Sequence, residues 1–234
     1  MPLISRSLPP KKIEYKKGEM QLLFRPFEAD DARKFQDVLK DTLPALYKYM
    51  LWPEQDWNFE ECLRWTIQRH GEYFLGIEFE WGCFNLLTGE LLGAVGIMPA
   101  FSFNPDCYEI GYWISQKHTN KGLATLCTQV ITLASFKCLG VKRLQVGSAS
   151  ANQASIRVIE KCGFKYEGEL RGLFPPPSEE KIKRGTLYCE TDYLYALLYN
   201  DCEKLNWYED VQKSSSIFSL DGENVLFSEL PVKI

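Results

Sequence analysis

The sequence of 234 residues has no apolar run approaching the roughly 18 residues that suggest a membrane span. Its opening, MPLISRSLPPKK, lacks the apolar core of roughly 7–15 residues that marks a secretory signal. Histidine occurs twice, and none of the eight cysteines forms a C-x-x-C pair, so no zinc cluster is readable. Positive charge is not in excess: 27 basic residues face 31 acidic ones for a net charge of −4, which argues against a basic nucleic-acid surface. No internal repeat is found, which excludes a solenoid. These absences predict a cytoplasmic chain with no nucleic-acid, membrane or metal partner. Its cysteines, at 62, 83, 107, 127, 138, 162, 189 and 202, are then reduced thiols.

What remains is ordinary globular material, 45% hydrophobic and 25% charged. A chain this long buries roughly 70–75% of its unfolded surface and needs no disulfide or metal staple. Residues 1–19 are polar and read as a loose arm. Residues 21–27 (QLLFRPF) read as a strand, and 28–33 open a helix with carboxylates at its positive end. A second helix is expected over about 59–69. Three strands follow, at 76–87, 91–101 and 108–114, joined by short turns as a meander. From Leu123 the period changes: Leu123, Leu126, Cys127, Val130, Ile131 and Ala134 form one helical face, ended by Gly140. A strand (142–148), a short helix (154–162), a strand (164–170), an exposed loop and a last strand (185–198) complete a mixed α/β sheet. Ser214, Ser215 and Ser216 read as a linker, and Asp221-Gly222 as the turn of a hairpin that either extends a sheet or makes a dimer contact. The expected division is an arm at 1–19, one domain at 20–207 and an extension at 208–234, as a monomer or homodimer.

Three segments carry chemistry. The first is 118–125 (HTNKGLAT), between a strand and the long helix. A helix start presents unpaired N–H groups and about half a positive charge, and Gly122 lets backbone approach a phosphate closely. The plainer reading is that Thr119 or Asn120 caps the helix. In the second, 150–155 (SANQAS), Asn152 is a good N-cap and Ser155 is unremarkable alone. The third is Glu109, which shares one strand face with Gly111 and Trp113. A carboxylate on a central strand is costly unless it is exposed, paired or functional.

Taken in order, FRPFEADDA (24–32), EIGYWI (109–114), NKGLAT (120–125) and ANQASIRVIEKCGFKYEGELRG (151–172) resemble the GNAT superfamily of acetyl-CoA-dependent N-acetyltransferases. The similarity is greatest to the Rim-type branch, which acetylates ribosomal-protein N-termini. Asp192, Tyr195 and Leu198 resemble that branch's final strand. Two positions depart from the pattern: Thr119 stands where the superfamily has Gln or Arg, and Asn120 where the branch commonly has Gly. The resemblance implies a central mixed, mostly antiparallel sheet flanked by helices.

It also implies acetyl-CoA as co-substrate, its pyrophosphate at the turn formed by Thr119, Asn120, Lys121, Gly122, Leu123, Ala124 and Thr125. The pantetheine arm would run along the strand ending at Trp113 and Ile114, with Asn152 helping to hold it. Glu109 would serve as base through water, a backbone N–H near Ile114 as an oxyanion donor, and Ser155 as donor to the departing thiolate, with Tyr166 as a rival. The acceptor amine would attack directly. Tyr47, Tyr49, Trp52 and Trp57 read as core. A protein or peptide N-terminal α-amine is the expected acceptor. The alternatives are a small amine, such as a polyamine or amino-sugar, or a non-catalytic acyl-CoA sensor.

Overall fold

A computed structural model describes residues 8–50 and 57–227. Its first elements are β1 (Lys12–Lys17), β2 (Met20–Pro26), α1 (Ala32–Leu46) and α2 (Phe59–Leu75). The meander is β3 (Phe79–Asn85), β4 (Leu91–Phe101) and β5 (Asn104–Ile114). Then come α3 (Leu123–Leu139), β6 (Arg143–Ala149), α4 (Gln153–Lys161), β7 (Lys165–Arg171), α5 (Glu179–Lys183) and β8 (Thr191–Leu198). The chain closes with α6 (Tyr199–Cys202), α7 (Tyr208–Ser214), β9 (Ser215–Phe218) and β10 (Asn224–Leu226). No helix among the described residues is long and apolar enough to cross a membrane.

All ten strands of the described residues join one sheet in the order β10-β9-β1-β2-β3-β4-β5-β6-β8-β7. Every pairing is antiparallel except β5 with β6, which α3 connects as a crossover. Strand alternation gives each face its own core. Phe79, Trp81, Val95, Ile97, Tyr108 and Ile110 pack with the buried face of α3. Ala94 and Trp113 point the other way and pack with Phe35, Leu39 and Leu43 of α1 and Cys62 of α2. Helix α3 is the most buried helix because its faces meet the sheet, α4 and α7.

The sheet differs from the sequence reading at its edge. Residues 12–17 are not part of a loose arm: they form β1, paired with β2 on one side and β9 on the other. The three serines are not a linker either. Ser214 ends α7, and Ser215 and Ser216 belong to β9. The Asp221-Gly222 turn joins β9 to β10. The hairpin expected there is thus present and extends the sheet; what the sequence did not show is that β9 pairs with β1, some 200 residues away. The loop expected at 178–184 holds a short helix, α5, capped by Ser178, and the last strand starts at Thr191 rather than 185.

The tail closes the core. Ile217 and Phe227 are buried, and the buried Lys137 ammonium donates to the Phe227 carbonyl at 3.1 Å. Fully burying one such apolar side chain stabilises by about 1.5–3 kcal/mol. Deleting residues 215–234 should therefore lower the melting temperature by on the order of 10 °C. Thermal denaturation checks this, and an unchanged midpoint would show that the strand pair contributes nothing.

Candidate active site

Strands β5 and β6 pair only at Cys107↔Arg143, Tyr108↔Leu144 and Glu109↔Gln145. Both continue, β5 to Ile114 and β6 to Ala149, but no longer as partners. The sheet therefore opens a V with Glu109 and Gln145 at its apex. The Ser115 N–H donates to the Leu92 carbonyl of the neighbouring strand, 2.8 Å away. By alternation, the N–H and C=O groups of Tyr112 and Ile114 face into the V, and those of Trp113 face β4. The Trp113 side chain is buried against Phe35 on the α1 side. The structure thus turns Trp113 away from the gap in both side chain and backbone, and leaves Ile114 in it.

At the mouth of the V, α3 begins without a side-chain cap. Its N-cap is Gly122, in the left-handed region at φ 77°. Neither candidate cap serves: the Thr119 hydroxyl donates to the Gln116 carbonyl at 3.1 Å, and Asn120 sits at φ 60°. Asparagine tolerates that region better than most residues. The N–H groups of Leu123, Ala124 and Thr125 consequently have no partner inside the helix. Lys121 is exposed and its ammonium turns back to the Lys117 carbonyl. The arrangement is a bare, positively polarised helix end.

Helix α4 flanks the other limb. Asn152 caps it, its Oδ1 accepting from the Ser155 N–H at 3.2 Å. The Ser155 hydroxyl lies 2.9 Å from the Tyr112 hydroxyl, which also donates to the Ser155 carbonyl at 3.2 Å. This contact ties β5 to α4 across the V. Burial holds the Tyr112 phenol protonated well above its usual range. Tyr166 is not part of this group. It is exposed on β7, its ring edge-on to Tyr193 and Tyr195.

Glu109 projects from the opposite sheet face. The Gln145 side-chain amide donates to Glu109 Oε2 at 3.0 Å, and the buried Gln145 Oε1 has no partner. Around Glu109 the face is bare: Gly111 and Gly147 are exposed, and Glu109 Oε1 is 4.0 Å from where a Gly147 side chain would begin. Glu80 shares the face, lying over Gly96, where even a methyl group would collide with its carboxylate. Tyr49 also belongs here rather than in the core. It lines a cleft with Ala149 and Asp192, whereas Tyr47 and Trp57 pack in or against the α1 core. Trp52 lies outside the described residues.

Residues 21–165 match the family model described as the acetyltransferase (GNAT) domain. The chain belongs to the GNAT acetyltransferase family. It is 26% identical over 148 residues to the "Probable N-acetyltransferase YjcK" of Bacillus subtilis, which covers 63% of this chain and 82% of that one. Its fold is that of RimJ from Mycobacterium smegmatis, solved with a CoA-disulfide, with a TM-score of 0.69 at 18% identity, covering 82% and 88% of the two chains. It also matches a ribosomal-protein-S5-alanine acetyltransferase from Vibrio fischeri, with a TM-score of 0.68 at 15% identity over 80% and 97%. Membership makes this protein an acyltransferase of the N-acetyltransferase kind.

Of the GNAT site as read from sequence, the structure brings the α3 turn, Ile114, Asn152 and Ser155 around one gap and Glu109 to its apex. The sequence reading missed Tyr112, Gln145 and Glu80. Tyr112 looked like another apolar-face residue, and its partner is 43 positions away. Gln145 is an unremarkable strand residue until the parallel register sets it beside Glu109.

Glu80 yields a pH prediction. Burial pushes its carboxyl from 4.5 up to about 8, against an opposing pull from Arg69 and with a further push from Glu78. Between those values the unfolded chain has released its proton while the folded chain keeps it. Stability due to Glu80 is therefore lost as pH rises through that window. Glu80→Gln should flatten this decline, read as melting temperature from pH 5 to 8.5. Parallel profiles for the two proteins would contradict the burial of the charge.

Proposed function

We propose that this protein transfers the acetyl group of acetyl-CoA to the N-terminal α-amine of a protein or peptide, in the cytoplasm. The observation that carries the reading is the V between β5 and β6, with a bare helix end at its mouth and a carboxylate at its apex. Two fold neighbours agree in kind: one is named with bound CoA and another for acetylating a ribosomal-protein alanine. Residues 20–207 would form the working unit, with β1 and the tail completing its sheet.

In this reading the Leu123, Ala124 and Thr125 amides, with Gly122 allowing close approach, hold the pyrophosphate, and Thr119, Asn120 and Lys121 shape the turn. The pantetheine amides pair with the open backbone groups of β5 like an added strand. Asn152 fixes the limb that carries Ser155. The amine enters from the bare face and attacks the thioester carbon. A carbon–nitrogen bond forms, the carbon–sulfur bond breaks, and the Ile114 N–H stabilises the oxyanion between. Glu109, oriented by Gln145, takes the amine's proton through water. The Ser155 hydroxyl, whose proton the Tyr112 oxygen accepts at rest, turns that proton to the departing thiolate. Holding both reactants removes the entropy of encounter, worth several kcal/mol.

An α-amine suits this equipment. Its pKa is roughly 7.7–8.0, against about 10.4 for lysine, so exposing the neutral amine at pH 7 costs about 3–4 kcal/mol less. Release of free thiol from acetyl-CoA tests the proposal with a panel of peptides, polyamines and aminoglycosides. Peptides should turn over best. Glu109→Gln should lower kcat/KM on the order of a hundredfold near neutral pH, with the deficit shrinking above the amine's pKa. Ser155→Ala should lower kcat by roughly tenfold. Acetyl-CoA binding with no turnover across the panel would instead favour a sensor.

A further inference from the structure

The cleft beside the end of β6 has a volume of about 550 Å³. Its walls are mostly apolar: Tyr49 and Met50 beyond α1, the three prolines at 175–177, and Leu187 and Tyr188. Asp192 of β8 lines it. That carboxylate is only 6% exposed, and among the described residues no hydrogen bond or ion pair reaches it. A carboxylate largely withdrawn from water, open only to the cleft and with no cation beside it, is a costly feature for a fold to keep. Two other buried carboxylates are paired. Asp31, equally buried, is held by Arg25 at 2.6 and 2.8 Å, and Glu14 by Lys12 and Lys16.

We propose that this cleft is a subsite for the acceptor, and that Asp192 receives a cationic group of the acceptor other than the amine that reacts. The inference rests on the acetyl-transfer reading and names the substrate class within it. The register places the two carboxylates on one sheet face. Asp192 pairs with Ala149, Leu194 with Gly147 and Ala196 with Gln145, and Gln145 is the partner of Glu109. Glu109 Oε1 reaches to 4.0 Å from the Gly147 side-chain position, and Ala149, two residues further along β6, already lines the cleft. Two residues of strand span about 7 Å and one strand spacing about 4.8 Å, so the gap from Glu109 to Asp192 is on the order of 10 Å. An acceptor amine at Glu109 therefore reaches Asp192 with a second positive charge carried a residue or two away.

The walls define the shape of that charge. Lys48 and Lys181 also line the cleft, which discourages a bulky polycation. A single ammonium or guanidinium on an aliphatic stem fits: the stem lies along the tyrosine and proline surfaces while the head meets the carboxylate. A peptide N-terminus followed at the second or third residue by lysine or arginine has this form.

The test uses matched peptides that differ only in lysine against norleucine at the second or third residue. Their binding to the CoA-saturated protein is measured by fluorescence anisotropy, and their acetylation by thiol release. The lysine peptide should bind wild type at least roughly tenfold more tightly, as expected for a charged hydrogen bond. Asp192→Asn should erase the preference. Leu187→Lys, at a half-exposed wall position, should also erase it by adding to the cleft a cation that competes for the carboxylate. Equal binding of the two peptides to wild type, or a preference that survives both variants, overturns the proposal. Turnover without preference removes the subsite and leaves the acetyl-transfer reading standing. Preference in binding without turnover does the reverse.

Discussion

The parallel contact between β5 and β6 is three residue pairs long, and the rest of the site depends on its stopping there. Each strand is committed on its other side to a long antiparallel partner, β5 to β4 and β6 to β8. Those ladders keep both strands extended after they part, so each inner edge presents unused backbone groups rather than fraying into loops. The crossover through α3 then returns the helix start to the open end of the same gap. A strand edge, a bare helix terminus and a carboxylate at the apex thus follow from one interrupted pairing.

The V also divides the molecule's two surfaces between two kinds of work. On the face covered by α3 and α4, Tyr112, Ser155 and Asn152 form a tied, half-buried set of polar groups. On the opposite face the helices α1 and α2 cover Trp113 and Ala94 but leave Gly111, Gly147 and Glu109 open. Small residues keep that surface bare: Gly96 makes room for Glu80, and the exposed Gly111 and Gly147 leave Glu109 uncovered. A substrate on each face would meet the other only through the gap, the geometry that direct transfer between two bound partners requires.

The far edge serves stability. An exposed edge at β1 would offer unpaired backbone to other chains. The tail covers it with β9 and β10, and α7 packs over α3 while Lys17 pairs with Asp210 at 2.8 Å. Lys137 shows how tightly this cap is fitted, since its buried charge relies on a tail carbonyl.

Much was legible in the chain by itself, wherever the signal was local. The 3.6-residue spacing from Leu123 to Ala134, the glycine stop at 140 and the Asn152 cap each depend on neighbours within a turn or two, and the structure has them there. The order of elements and the motifs at 109–114, 120–125 and 151–172 were enough to indicate the GNAT fold. Tertiary structure alone decided which atoms meet. It turned Trp113 from the gap, made the segment at 12–17 a strand by giving it β9, and set Gln145 beside Glu109 and Tyr112 beside Ser155. It also left Asp192 buried, with no partner among the described residues. The reason is common to these cases: register and burial are set by partners tens to hundreds of residues away, whereas periodicity and capping report only on the chain's immediate neighbourhood.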